Sequence, residues 1–142
     1  MEAWINRGTL RETGYRWIVG KDTTNAPRDG WNMHLEANTH KVGFSRWLNG
    51  SANTFYSTTA TAAGTWYHLV GTYDGATMRL YVNGVQEGSL ASTLSMLNTG
   101  YPFRIGAIGG TGQGEFSGTI DEVAVYNTTL SATQVKQHYD AR

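Results

Sequence analysis

Cysteine is absent from this 142-residue chain, which removes disulfide staples, thiolate nucleophiles and thiolate metal sites together. Neither sign of charge prevails. Eleven Lys and Arg cancel eleven Asp and Glu, so no net field would hold a phosphate backbone or an anionic membrane surface, and nucleic acid is not an expected partner. Apolar stretches are short, Val123–Tyr126 being typical. They fall far below the roughly 18–20 residues that span a bilayer, so membrane insertion is not expected, and no charged-then-apolar leader precedes Glu2. Proline is scarce, with two residues, whereas glycine is abundant, with 18.

What is present is β-forming texture. Thr, Tyr, Trp and Val recur in short stretches separated by Gly, Asn and Asp, the mixture expected of many short antiparallel strands. The length suits one domain over residues 1–142, large enough to bury about two-thirds of its unfolded surface around one core. Strands are expected at Met1–Asn6, Tyr15–Gly20, Trp31–Asn38, Lys41–Leu48, Thr54–Thr61, Trp66–Tyr73, Thr77–Asn83, Tyr101–Ala107 and Phe116–Tyr126. In Trp31–Asn38 the alternation puts Trp31, Met33, Leu35 and Ala37 on a core face and Asn32, His34, Glu36 and Asn38 on a wet one. Asn49-Gly50, Asp74-Gly75 and Asn83-Gly84 are turn signals. Ser89–Gly100 reads as a long connection and Gly109–Gly114 as a flexible loop. Ser131 and Gln134 have the spacing of a capping box, so one short helix is expected to close the chain.

The segment from Gly64 onward resembles the laminin-G-like, concanavalin A-like family. The resemblance is carried by Gly64-Thr65-Trp66-Tyr67-His68-Leu69-Val70, then Thr72-Tyr73-Asp74-Gly75 and Leu80-Tyr81-Val82-Asn83-Gly84. It ends in Gly118-Thr119-Ile120-Asp121-Glu122-Val123-Ala124-Val125-Tyr126-Asn127 before Leu130-Ser131. Glu2-Ala3-Trp4-Ile5 is similar to the family's early core strand. The resemblance implies an all-β antiparallel sandwich, a jelly roll, with an extracellular or cell-surface setting. Family members usually carry one or two strands before this block, so one or more N-terminal edge strands are expected to be missing. Self-association through an unpaired sheet edge follows as an expectation.

Asp121 shares its alternation phase with Val123 and Val125, so its carboxylate is expected at the sandwich interior or rim, where it needs a partner. The resemblance implies a structural Ca²⁺ there; backbone N–H groups or an arginine are the alternative partners. Asn32, His34 and Glu36, with Trp47 from the adjoining strand and Tyr56, would form a polar shelf beside an aromatic platform. Sugars are held in this way, by a ring against the pyranose and by amides, carboxylates and imidazoles on its hydroxyls. An ordinary solvated sheet face is the alternative. Arg46 falls in the phase of Phe44, away from that shelf. Trp4, Trp17, Trp31 and Trp66 are expected between the sheets, and His68 as a hydrogen-bonded core histidine. His40 and His138 read as exposed.

Related folds house β-glucanases, which use two carboxylates facing one bond. No strand here carries acids at i and i+2, and neighbours such as Asp121 and Glu122 point to opposite faces of a regular strand. The expected function is a non-catalytic module that binds a glycan or serves adhesion. A protein-interaction or assembly domain acting through its sheet edges is the alternative, and a β-glucan hydrolase ranks last.

Overall fold

Tight turns set the registers of this fold. The computed structural model describes residues 1–9, 14–23, 25–95, 99–108 and 114–142. Those residues form β1 (Glu2–Arg7), β2 (Tyr15–Asp22), β3 (Gly30–Glu36), β4 (Lys41–Leu48), β5 (Ser51–Ala60) and β6 (Trp66–Tyr73). They continue through β7 (Thr77–Val82), β8 (Val85–Ala91), β9 (Arg104–Ile105) and β10 (Gly118–Ala124) to the helix α1 (Ala132–Asp140). Asn49-Gly50 joins β4 to β5 with φ of 49° and 79°, and Asn83-Gly84 joins β7 to β8 with φ of 51° and 78°. Paired positive φ is the type I′ geometry, whose twist matches that of the strands it connects. Between β6 and β7, Asp74 accepts from the backbone N–H groups of Ala76 and Thr77 at 2.9 and 2.7 Å.

The strands make two antiparallel sheets, ordered β10-β1-β6-β7-β8 (sheet A) and β5-β4-β3-β2-β9 (sheet B). Their facing sides enclose Ile5, Ile18, Met33, Leu35, Val42, Leu69, Met78 and Leu80, with Phe44 among them. Each such side chain contributes about 1.5–3 kcal/mol by leaving water. This is the two-layer antiparallel sandwich that the family resemblance implied.

A second, smaller core lies on the outer side of sheet A, where Val70, Tyr81, Leu130 and Val135 pack together. Val135 is the buried residue of α1. Ser131 caps that helix and Gln134 reaches back to it, completing the capping box. The outer face of sheet A is therefore covered, and β1 is buried on both sides: Ala3 and Ile5 face the sandwich core, while Glu2 and Trp4 lie under the helix.

Several expectations need correction. The strand β8 arises where a connection was expected from Ser89; none of its residues is fully buried, so the sequence shows little alternation. The Tyr101–Ala107 strand shrinks to Arg104–Ile105. Trp4 and Trp17 are buried, but on the outer faces of their sheets, and Trp66 is exposed. Aliphatic side chains and phenylalanines fill the space between the sheets instead. His138 does not stand free, because its Nδ1 lies 2.9 Å from a Glu2 carboxylate oxygen. The N-terminal strand β1 is paired on both sides, by β10 and β6. Of the expected Gly109–Gly114 loop, residues 109–113 lie outside the described residues.

Candidate functional site

Register places the candidate residues on the outer face of sheet B, the side turned away from sheet A. Residues directly opposite one another share a face. Trp17, His34, Gly43 and Tyr56 form one row across β2, β3, β4 and β5; Gly20, Asn32, Ser45 and Thr54 form the next; Asp22, Gly30, Trp47 and Ala52 the third. A bulge in β2 between Trp17 and Val19 turns Trp17 onto this face.

The face is packed rather than wet. Asn32 is fully buried and His34 only 5% exposed. Glycines make the room: a Cβ at Gly43 would lie 2.3 Å from His34 Nε2, and one at Gly20 would lie 2.7 Å from Asn32 Cβ. Tyr15, Trp17 and Tyr56 surround the imidazole, their rings 5.0, 6.1 and 5.8 Å from it. Tyr15 is 43% exposed.

A relay of hydrogen bonds orients these groups. Arg28 donates to Asp22 Oδ2 at 2.7 Å, and the Asn32 amide donates to the same oxygen at 2.6 Å. Because a carboxylate only accepts, the other end of the Asn32 amide must be its carbonyl oxygen, which lies 2.8 Å from His34 Nδ1. His34 therefore donates from Nδ1. Burial first, and then the positive charge of Arg28, lower its pKa to about 4, so at neutral pH Nε2 is a bare acceptor. Burial pushes the Asp22 carboxyl up, against the opposing pull of Arg28 and Asn32.

Four buried polar atoms on this face have no partner within the protein: Trp17 Nε1, Arg28 Nε, His34 Nε2 and Trp47 Nε1. They account for most such side-chain atoms among the described residues. The face thus holds, beneath its surface, three N–H donors and one acceptor without a partner in the protein.

The expected site residues occupy this face unequally. Asn32 and His34 lie at its centre, and Tyr56 borders the imidazole. Trp47 is half-buried, with the Arg28 guanidinium stacked 4.0 Å above its ring. Glu36 stands at the far end opposite Tyr15, accepting from the Thr39 hydroxyl at 2.6 Å. Sequence reasoning missed Trp17, Asp22 and Arg28 as parts of the face. Gly20 and Gly43, in phase with Asn32 and His34 across the sheet, were the available signal.

Asp121 is placed differently from expectation. Glu122 has a φ of 48°, and the pairing of β10 with β1 slips between Glu2 and Trp4. This bulge breaks the phase between Asp121 and Val123, so Asp121 lies opposite Trp4 and its side chain is 52% exposed. Its carboxylate accepts from Arg142 at 3.1 Å and from the Glu122 backbone N–H at 2.8 Å. Among the described residues no group of three or more His, Cys, Asp or Glu side chains comes together to hold a metal.

Known structures share this architecture. A carbohydrate-binding protein described as putative, from Bacteroides ovatus, superposes with a TM-score of 0.76 at 22% identity, covering 96% of this chain and 39% of its own. Domain 4 of AbnA, a GH43 extracellular arabinanase from Geobacillus stearothermophilus in complex with arabinotriose, gives 0.76 at 19% identity, covering 96% of this chain and 63% of its own. The CBM40 of the Ruminococcus gnavus IT-sialidase gives 0.76 at 17% identity, covering 97% and 81%. The chain thus spans less than two-thirds of the first two. Among curated proteins none matches it significantly. The profile of one family matches residues 1–136, nearly the whole sandwich with its capped helix, and the chain belongs to the concanavalin A-like lectin/glucanases superfamily.

Proposed function

We propose that this protein is a non-catalytic glycan-binding module that holds sugar on the outer face of sheet B. The observation that carries this reading is the set of four unpartnered polar atoms gathered there among aromatic rings. Buried polar groups without partners cost free energy, and their concentration on one face favours a ligand or water that supplies the missing bonds. A hydroxyl, of a sugar or of a water that bridges to one, can do both jobs, donating to an acceptor and accepting from an indole or guanidinium N–H. The exposed Tyr15 and the half-buried Tyr56 offer rings for the apolar side of a pyranose. The similar structures from R. gnavus, G. stearothermophilus and B. ovatus carry sugar-binding descriptions of their own, which supports the same reading here.

The acids on this face argue against hydrolysis. Asp22 aligns with Gly30 at one end of β3, and Glu36 occupies the other end. Six residues at about 3.4 Å each separate those positions by roughly 20 Å, well beyond the roughly 5–9.5 Å that paired glycosidase carboxylates span.

The test is a glycan array probed with the native protein and with Tyr15→Ala and Trp47→Ala, each checked for folding by its melting curve. Binding to a defined set of glycans that weakens in both variants is the expected result. No bound glycan, or an unchanged profile in both variants, would refute the reading.

A further inference from the structure

The opposite side of sheet B borders a second feature, a cavity of about 430 Å³ at one end of the sandwich. Trp31, Phe44 and Arg46 line it from sheet B, Tyr73 from sheet A, and Tyr126 and Leu130 from the segment leading to α1. Its size falls within the roughly 300–1,000 Å³ of small-molecule sites. Most of these walls are aromatic or aliphatic.

Arg46 sets the chemistry. It is only 2% exposed, and among the described residues no carboxylate pairs with it. Its Nη1 donates to Ser92 Oγ at 2.9 Å and its Nη2 to the Leu94 carbonyl at 2.6 Å. The guanidinium carbon lies 3.7 Å from the Tyr73 ring centroid. A guanidinium has five N–H donors, so these two bonds fix its position without exhausting it. The ring gives partial compensation of the charge, but a buried cation without an anion is costly, and an anion entering the cavity would relieve that cost.

We propose that this cavity binds a small aromatic carboxylate, with its ring among the apolar walls and its carboxylate on Arg46. The apolar walls suit the ring, and the uncompensated guanidinium selects the charged head over a neutral one. Because Arg46 and Trp47 point to opposite faces of β4, this site is separate from the proposed glycan face and stands or falls independently of it.

Benzoate and its neutral counterpart benzamide are the probes, titrated into ¹⁵N-labelled protein. Benzoate should shift the Trp31 indole N–H and the backbone amides of Tyr126 and Leu130, with affinity at least about tenfold above that of benzamide. Arg46→Met should erase the preference, and Thr128→Trp, which plugs the cavity from an exposed position on its lining, should abolish both shifts. If Arg46→Met does not fold, the comparison of the two probes on the native protein and on Thr128→Trp decides. Absence of benzoate binding, equal affinity for the two probes, or shifts confined to other residues would overturn the proposal.

Discussion

Replacing Glu2 with Gln should weaken the fold at neutral pH and make almost no difference in strong acid. Glu2 lies under α1, with His68 Nε2 at 2.8 Å from one oxygen and His138 Nδ1 and the Tyr126 hydroxyl each at 2.9 Å from the other. Burial would raise its pKa, but these three hydrogen bonds outweigh that effect and hold it at about 2, against 4.5 for the unperturbed group. A difference of about 2.5 in pKa corresponds to about 3 kcal/mol, with little screening because the side chain is only 9% exposed. The folded state lowers this pKa, so the stabilisation is fully present above pH 4.5 and disappears as pH falls towards 2. Urea unfolding followed by tryptophan fluorescence, run on both proteins at several pH values, measures the gap between them. Other carboxylates titrate alike in both, so they cancel. The gap should be about 3 kcal/mol at pH 7, narrow below pH 4.5 and close near pH 2. A gap that stays constant across this range would refute the assignment of the acid-sensitive latch to Glu2.

Gly43→Ala places a methyl group 2.3 Å from His34 Nε2, and displacing that ring should cost about 1–3 kcal/mol, lowering Tm by roughly 3–10 °C. The same variant should reduce glycan binding; a melting curve identical to that of the native protein would show that the ring yields freely. Millimolar Ca²⁺ should leave Tm unchanged, because Arg142 occupies the Asp121 carboxylate. A clear rise that vanishes in Asp121→Asn would restore the metal to that residue.

Much of the fold was legible in the sequence because its signals are local. Type I′ turns need residues that tolerate positive φ, and Asn49-Gly50 and Asn83-Gly84 announce them. Alternation in Lys41–Leu48 and Trp66–Tyr73 matched the observed strands to the residue, and Ser131 with Gln134 marked the start of the helix. The edge strand β8 was illegible because it buries little and so carries no strong alternation.

By itself, the order of residues determined the antiparallel strands and the membership of Asn32 and His34 on one sheet face, which follow from a period of two, and the principal turns, which follow from Asn-Gly and Asp-Gly pairs. Only tertiary structure decided what that face became. The bulge in β2 brought in Trp17, the loop before β3 laid Arg28 across Trp47, and the bulge at Glu122 turned Asp121 away from the core. A one-residue slip reverses the side of every later side chain in a strand, and whether a slip occurs depends on the partner strand, which alternation within one strand does not record.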